Sequence, residues 1–160
     1  MDKLTREWLE SMKQKGVGEL AIEAKRNPDY FIKIEIDSYC AYVPLIYSAI
    51  PYENKTKTRA GYVYIITDGE YVKIGQATNI EKRLASLQCG NPRKLSILQT
   101  IQTDDMNLTE HSLHWWFKDY RIQGEWFDLA SVFLNQRDNV SDFLKRKIER
   151  AKTRRALISA

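Results

Sequence analysis

The stretch that decides the fold is Gly61-Tyr62-Val63-Tyr64-Ile65-Ile66-Thr67-Asp68-Gly69-Glu70-Tyr71-Val72-Lys73-Ile74-Gly75. Its two halves are rich in β-branched and aromatic residues, and Asp68-Gly69 between them is a hairpin-turn signal. The stretch therefore predicts two antiparallel strands joined by a tight turn.

A two-residue turn at Asp68-Gly69 would place Tyr64 directly opposite Lys73. Side-chain alternation then predicts an apolar face, made of Val63, Ile65, Val72 and Ile74, and a second face with Tyr62, Tyr64, Tyr71, Lys73 and Gly75. Opposed residues have Cβ atoms about 4.5–5.5 Å apart. We therefore expect the Lys73 ammonium to approach the Tyr64 hydroxyl and to lower its pKa. The alternative is that these tyrosines are ordinary strand residues on a half-exposed sheet.

The residues after the hairpin predict an α+β fold with a small three-stranded, mainly antiparallel sheet flanked by helices. Asn79 is a candidate N-cap for a helix over 81–88 that presents Ile80, Leu84 and Leu87 on one face. Leu95, Ile97 and Leu98 indicate a third strand. A second helix over 109–120 would bury Leu113, Phe117 and Tyr120 at helical spacing.

The chain divides into four parts by pattern. Residues 1–51 mix helical and extended signals and have no assignable role, and 52–60 form a polar linker. Residues 61–129 form the module described above, and 130–160 predict a C-terminal helix with a basic tail.

Positive charge is concentrated at the C-terminus. Residues 61–129 carry 7 basic and 9 acidic side chains, whereas 130–160 carry 8 and 3. Cations of this kind suit DNA phosphates, with a salt-dependence slope of about 0.9 per contact on duplex DNA. An equally acceptable interpretation is a solvated helix end whose cations complement the helix dipole. The candidate DNA-binding residues of the tail are Lys145, Arg146, Lys147, Arg150, Lys152, Arg154 and Arg155.

No segment predicts export or membrane insertion. The first six residues lead into no apolar region of a secretory signal. The longest apolar stretch, 41–50, is interrupted by Pro44 and Ser48 and is too short to span a bilayer. We expect a cytoplasmic protein without membrane contact.

Five pieces of the sequence, in this order, resemble the GIY-YIG nuclease superfamily. Val63-Tyr64 and Ile74-Gly75 are similar to the two halves of its motif, with Gly75 as the motif glycine. Arg83 lies eight positions after Gly75, like the helix-borne arginine of the family, and Glu110 is placed like its metal-binding glutamate. The final string, Gly124-Glu125-Trp126-Phe127, resembles the bacteriophage open-reading-frame DNA-binding domain branch, related to the fungal meiotically up-regulated group.

The sequence departs from the superfamily pattern at three places. Lys73 stands where the motif has its second tyrosine, as is frequent in this branch, and Tyr62 takes the place of the first glycine. The asparagine found late in many superfamily nucleases has only Asn135 and Asn139 as candidates.

The resemblance implies hydrolysis of DNA phosphodiester bonds with one divalent cation, Mg²⁺ or Mn²⁺. Glu110 would hold the metal with waters and substrate phosphate. Arg83 would clamp the developing charge, and Tyr64, beside Lys73, would act as the base or orient the water. His114, one helical turn after Glu110, could assist the metal or the phosphate.

Each of these residues also has a structural interpretation. Arg83 could be an ordinary exposed helix arginine, and Glu110 an acid that complements the helix dipole. His114 could pack beside Trp115 or Trp116. We expect Trp126 and Phe127 to anchor the core.

Two functions from different classes follow. The first is a metal-dependent DNA endonuclease, favoured because Tyr64, Arg83 and Glu110 occur together and binding alone would not need the carboxylate. The second is a catalytically weak or inactive DNA-binding module on the same fold, favoured by the slightly acidic composition of 61–129. A weaker third interpretation is a phage or mobile-element accessory factor that docks proteins through residues 1–51. A homodimer or another protein partner is compatible with each.

Overall fold

The computed structural model describes residues 6–36, 39–46 and 58–133 of the chain. The helices are α1 (Arg6–Lys13), α2 (Val17–Arg26), α3 (Ile80–Cys89), α4 (Met106–Trp116) and α5 (Ala130–Phe133). The strands are β1 (Phe31–Ile36), β2 (Tyr39–Pro44), β3 (Gly61–Thr67), β4 (Val72–Ala77), β5 (Ser96–Thr103), β6 (Arg121–Gln123) and β7 (Trp126–Phe127). Two short 3₁₀ turns cover Pro28–Tyr30 and Lys118–Tyr120.

The predicted α+β class is confirmed, but the predicted three-stranded sheet is not the whole of it. Among the described residues, a five-stranded antiparallel sheet has the order β5-β3-β4-β7-β6, and β1 and β2 form a separate hairpin. The three predicted strands are its first three neighbours. The other two, β6 and β7, contain three and two residues. Strands this short show too few alternations for a period-two pattern to be visible.

Both faces of the five-stranded sheet are covered. On one face Val63, Ile65, Val72 and Ile74 are fully buried, as predicted. Their cluster includes Leu113 of α4, Phe117 directly after this helix, and the apolar side of the β1–β2 hairpin. On the other face Tyr64 and Ile66 pack with Leu95, and Ile80, Leu84 and Leu87 of α3 lie against them. The sheet is therefore a central layer between α3 and a layer made of α4 and the β1–β2 hairpin.

The predicted register of the β3–β4 hairpin is wrong. Thr67 pairs with Val72, so the loop is Asp68–Tyr71, and Tyr64 stands opposite Gly75 rather than Lys73. Side-chain hydrogen bonds build this longer loop. The Asp68 Oδ1 atom accepts from the backbone N–H groups of Glu70 (2.9 Å) and Tyr71 (2.7 Å). The predicted faces survive because the partner of each residue moves by two positions, which preserves the alternation.

Both predicted helices are present, but their bounds differ from the predicted ones. The Asn79 side chain accepts from the N–H of Lys82 at 2.9 Å and caps α3 as expected. Helix α4 begins earlier than predicted, because Asp105 caps it by accepting from the N–H of Leu108 at 3.1 Å. It also ends earlier, and Tyr120 is 47% exposed instead of buried.

The N-terminal region contributes to the same core. Ile32, Ile34 and Ile36 of β1 and Val43 of β2 belong to the cluster that contains Val63 and Ile65. The backbone N–H of Ile46 donates to Ser112 Oγ in α4 at 3.1 Å. The hairpin and α4 are thus held against the sheet by apolar burial and by a buried hydrogen bond.

Part of the sequence-based prediction lies outside the described residues. This applies to the whole basic tail from Lys145 to Arg155, to Asn135 and Asn139, and to most of the predicted linker. No described helix is long and apolar enough to cross a membrane.

Gly75 is required by the ring that faces it. Its conformation is ordinary extended backbone, but a Cβ atom added there would overlap the hydroxyl and ring carbons of Tyr64. The Tyr64 side chain is fully buried in the space this leaves. The motif glycine therefore provides volume for a tyrosine on the neighbouring strand.

We predict that Gly75→Ala destabilises the fold by about 1–3 kcal/mol, the usual cost of overpacking a buried position. Urea unfolding of the two proteins measures this difference. Gly18→Ala in α2 is the matched control, since nothing lies within 4 Å of the added carbon and alanine favours helix by up to about 1 kcal/mol over glycine. Equal midpoints for Gly75→Ala and the wild-type chain would contradict the assigned ring position.

Candidate active site at the β4 end

The phenol of Tyr64 meets the guanidinium of Arg83. The Arg83 Nε–H donates to the Tyr64 hydroxyl at 3.3 Å. The cap at Asn79 and the apolar contacts of Ile80, Leu84 and Leu87 fix the helix that carries Arg83. Arg83 itself is an exposed residue, so most of its donors face solvent.

Burial controls the ionisation of Tyr64. Burial raises the pKa of the Tyr64 phenol above its ordinary value of 10.0, and the hydrogen bond and charge of Arg83 lower it by less. From the sequence we expected Lys73 to lower the pKa of Tyr64, and it does not. The cation beside the phenol is Arg83, and Tyr64 is a neutral hydroxyl at physiological pH.

Lys73 has a different partner, Glu125. The Lys73 ammonium donates to Glu125 Oε2 at 2.7 Å and lies 5.6 Å from the centre of the Trp126 ring. Pairing of Lys73 with Trp126 across β4 and β7 brings the neighbouring Glu125 alongside. Gly124, with a φ of +54°, makes the turn that returns the chain to this position. A nearly buried ammonium is thereby neutralised by a half-exposed carboxylate.

Glu110 lies on α4 and is buried with an amide partner. The Gln76 amide nitrogen donates to Glu110 Oε2 at 2.8 Å and to Asn107 Oδ1 at 3.0 Å. Burial raises the pKa of the Glu110 carboxyl, and the nearby charge of Glu125 raises it further. His111, the Gln76 hydrogen bond and Lys73 act in the opposite direction. Glu110, Tyr64, Arg83 and Glu125 are close enough for their charges to interact.

His114 serves the fold in this structure. Its Nε2–H donates to the carbonyl of Ile74 at 2.9 Å, and its ring packs 5.2 Å from that of Phe127. Burial lowers the pKa of His114, and the carbonyl contact offsets this only in part. The described contacts therefore tie α4 to β4, and a role in catalysis stays a prediction.

An open cleft lies between β4, α3 and the start of α4. Its lining includes Gln76, Asn107 and Arg83. The cleft has a volume of about 670 Å³, and Arg59 and Lys82 also line it. None of the lining residues is acidic. Although the module carries more acids than bases, this cleft presents three cationic side chains, one of which is the Arg83 that binds Tyr64.

The donor chemistry around Glu110 fits a hard divalent cation. Magnesium is usually held by one or two carboxylates together with neutral oxygens and waters. Glu110 supplies a carboxylate, and Asn107 and Gln76 supply side-chain amides next to it. Within the described part of the chain, no group of three or more His, Cys, Asp or Glu side chains could hold a metal. A carboxylate with amide oxygens beside it is an oxygen donor set, which magnesium and manganese favour, whereas zinc prefers nitrogen or sulfur ligands.

Sequence reasoning brought together Tyr64, Arg83 and Glu110 but missed three of their neighbours. Gln76 directly follows the motif glycine, and Asn107 is three residues before Glu110, hence on the same side of the helix. Glu125 could have been found from Lys73, because a buried ammonium requires an acidic partner. Phe127 is fully buried, as predicted for a core anchor, and half-buried Trp126 packs against the Tyr64 cluster.

A family model described as the T5orf172 domain matches residues 61–147, more than half of the chain. No curated protein and no solved structure gives a significant match.

The lowered pKa of His114 predicts a pH-dependent contribution to stability. Below the ordinary value of 6.5 the unfolded chain binds a proton at this position while the folded chain stays neutral, so the folded state loses stability as the pH falls. Above that value both states are neutral and the contribution vanishes. Relative to His114→Gln, the wild-type free energy of unfolding should therefore fall between pH 7.5 and 5.5, by at most about 1.4 kcal/mol per pH unit.

Urea titrations of both proteins at the two pH values measure this. The difference between the proteins removes the contribution of Glu110, whose raised pKa acts in the opposite direction. A constant difference across this range would show that His114 is not buried as a neutral ring.

Proposed function

We propose that this chain, which belongs to the phage-associated T5orf172 domain family, is a metal-dependent DNA endonuclease of the GIY-YIG type. The observation that carries the proposal is the contact of the Arg83 guanidinium with the Tyr64 hydroxyl beside a cationic cleft, with the Glu110 carboxylate near enough for its charge to act on both. A carboxylate aimed at phosphate repels it, so a DNA-cleaving site with Glu110 requires a cation.

DNA is the substrate that the cleft favours. The cleft is open to solvent, and its positive charge comes from Arg59, Lys82 and Arg83. Two of the acidic groups of the module, Asp68 and Glu70 in the β3–β4 loop, pair with Arg93, and none of the nine lines the cleft. The balance of 7 basic and 9 acidic residues therefore does not describe the surface that the phosphates would meet.

Each residue has a distinct role in the proposed reaction. Glu110 would hold the divalent cation, which when bound would supply positive charge at the scissile phosphate and lower the pKa of a water. Arg83 uses its exposed donors to bind the phosphoryl oxygens as their charge develops. Tyr64 accepts a hydrogen bond from Arg83 and keeps its own proton, so it orients the water or a phosphate oxygen by donating to it. Its raised pKa argues against a phenolate base.

In this proposal Lys73 holds Glu125 in place and transfers no proton. Its ammonium is engaged by Glu125 and by the ring of Trp126. The pair places the Glu125 carboxylate near enough to Tyr64 for its charge to act on the phenol. This differs from a direct Lys73–Tyr64 contact, which the register does not provide.

The second candidate function is DNA binding without hydrolysis. One observation favours it: the Glu110 carboxylate is buried and already accepts from Gln76, so it is satisfied without a metal. In that case the cationic cleft and the basic tail would bind phosphates, and affinity would fall with salt.

The proposal predicts that the purified protein nicks supercoiled plasmid with Mg²⁺ or Mn²⁺ and that Glu110→Gln abolishes nicking. The amide introduced by this change keeps an oxygen acceptor for Gln76 but removes the charge that a cation needs. The exposed Glu81→Gln is the matched control and should nick at the wild-type rate. Persistent nicking by Glu110→Gln would refute the assigned mechanism.

Arg83→Ala should slow nicking by roughly 10²–10³ if the guanidinium stabilises the transition state. Arg26→Ala, at an exposed end of α2, is its control. Salt-sensitive retention of DNA by the wild-type protein, with no product under any divalent metal, would instead select the binding-only function.

A further inference from the structure

The Gln76 amide stands at the meeting point of two other side-chain oxygens. Its nitrogen is 2.8 Å from Glu110 Oε2 and 3.0 Å from Asn107 Oδ1. The three residues come from two elements, β4 and α4, that pack directly against each other. Gln76 and Asn107 also line the cleft. A carboxylate and two amides therefore converge at the cleft wall.

The two distances from Gln76 are ordinary hydrogen-bond lengths, and they are also the length of an edge between neighbouring oxygens around a small divalent cation. Magnesium–oxygen bonds of about 2.0–2.1 Å in an octahedron place neighbouring oxygens about 2.8–3.0 Å apart. The terminal torsion of glutamine is broad and roughly two-fold, so its oxygen and nitrogen can exchange places by a half-turn. After that rotation Gln76 Oε1 would take the place of the nitrogen, at the edge length that the octahedron requires.

From this geometry we infer that Gln76, Asn107 and Glu110 form a three-oxygen site for Mg²⁺ or Mn²⁺, in which the Gln76 amide rotates when the cation binds. Without metal, the amide N–H groups of Gln76 donate to the two oxygens. With metal, the amide oxygen turns inward and all three side chains are ligands. The inference rests on the proposed function, whose metal it assigns to a ligand set larger than Glu110 alone.

The two orientations of Gln76 make opposite demands on residue 76. A hydrogen-bond donor is needed in the metal-free state, and an oxygen is needed in the metal-bound state. Lysine can donate to Glu110 but cannot bind a cation. Glutamate offers oxygen ligands and an added negative charge but cannot donate. The two substitutions therefore separate a metal ligand from a residue that only holds Glu110 in place.

The test is a titration of the full-length protein with MnCl₂ in the absence of DNA, with free Mn²⁺ measured by electron paramagnetic resonance. We expect Gln76→Glu to tighten Mn²⁺ binding about tenfold, because ligand charge raises cation affinity. Gln76→Lys should weaken it at least tenfold, and Asn107→Leu should also weaken it. Gln123→Glu, at an exposed position of β6, adds the same charge away from the cleft and should leave binding unchanged.

Gln76→Glu places two carboxylates together and should lower the melting temperature of the metal-free protein, with Mn²⁺ restoring it. Circular dichroism with and without MnCl₂ follows this directly. If that variant does not fold without metal, Asn107→Asp carries the same expectation of tighter binding. An unchanged or weaker affinity in Gln76→Glu or its substitute, or wild-type protein that binds no Mn²⁺ at millimolar concentration, overturns the inference.

The outcomes distinguish this inference from the proposed function. Metal-dependent nicking that needs Glu110, together with Mn²⁺ affinity indifferent to residues 76 and 107, leaves the nuclease standing and removes the three-oxygen site. Mn²⁺ affinity that follows the expected order, without any nicking, keeps the site and removes the nuclease.

Discussion

The close approach of the Tyr64 ring to Gly75 is the constraint on which the rest of the site depends. The ring occupies the volume that a side chain at residue 75 would need, so the residue opposite Tyr64 on β4 has to be a glycine. Because the phenol points away from the α4 side, it meets α3, and α3 must be docked through Ile80, Leu84 and Leu87 for Arg83 to reach it. The packing of Tyr64 and of α3 thus determines where the Tyr64 hydroxyl and the Arg83 guanidinium lie.

Charge in the site is arranged by burial as much as by pairing. Tyr64 and Glu110 both lie in surroundings that favour their neutral forms. The charge of Glu125 raises the pKa of Glu110, and Lys73 and Gln76 each engage one of these two carboxylates. As a result, the two carboxylates of the site are paired with Lys73 and Gln76, while the cations Arg59, Lys82 and Arg83 face the cleft. Such an arrangement suits a polyanion approaching from solvent.

The sequence predicted those features that arise from local pattern. The β3–β4 strands and their faces, the Asn79 cap and the apolar side of α3 all follow from alternation, capping chemistry and helical spacing. The register did not follow, because it is set by side-chain hydrogen bonds of Asp68 and Thr67 to the loop backbone, which a dipeptide signal does not encode. Strands β6 and β7 were missed because three and two residues are too few to show an alternation, and the Lys73–Glu125 pair was missed because its members lie 52 positions apart. Only tertiary packing brings such residues together.

The β1–β2 hairpin lies outside the span of the family match, 61–147, yet its isoleucines share a core with Val63, Ile65 and Leu113. The family span and the cooperative folding unit therefore have different boundaries. A fragment beginning at Gly61 would expose the apolar surface that Ile32, Ile34 and Val43 cover, and exposed apolar patches of that kind promote association. Because these side chains fill one core, a change of volume in the hairpin has to be absorbed by the sheet that it covers.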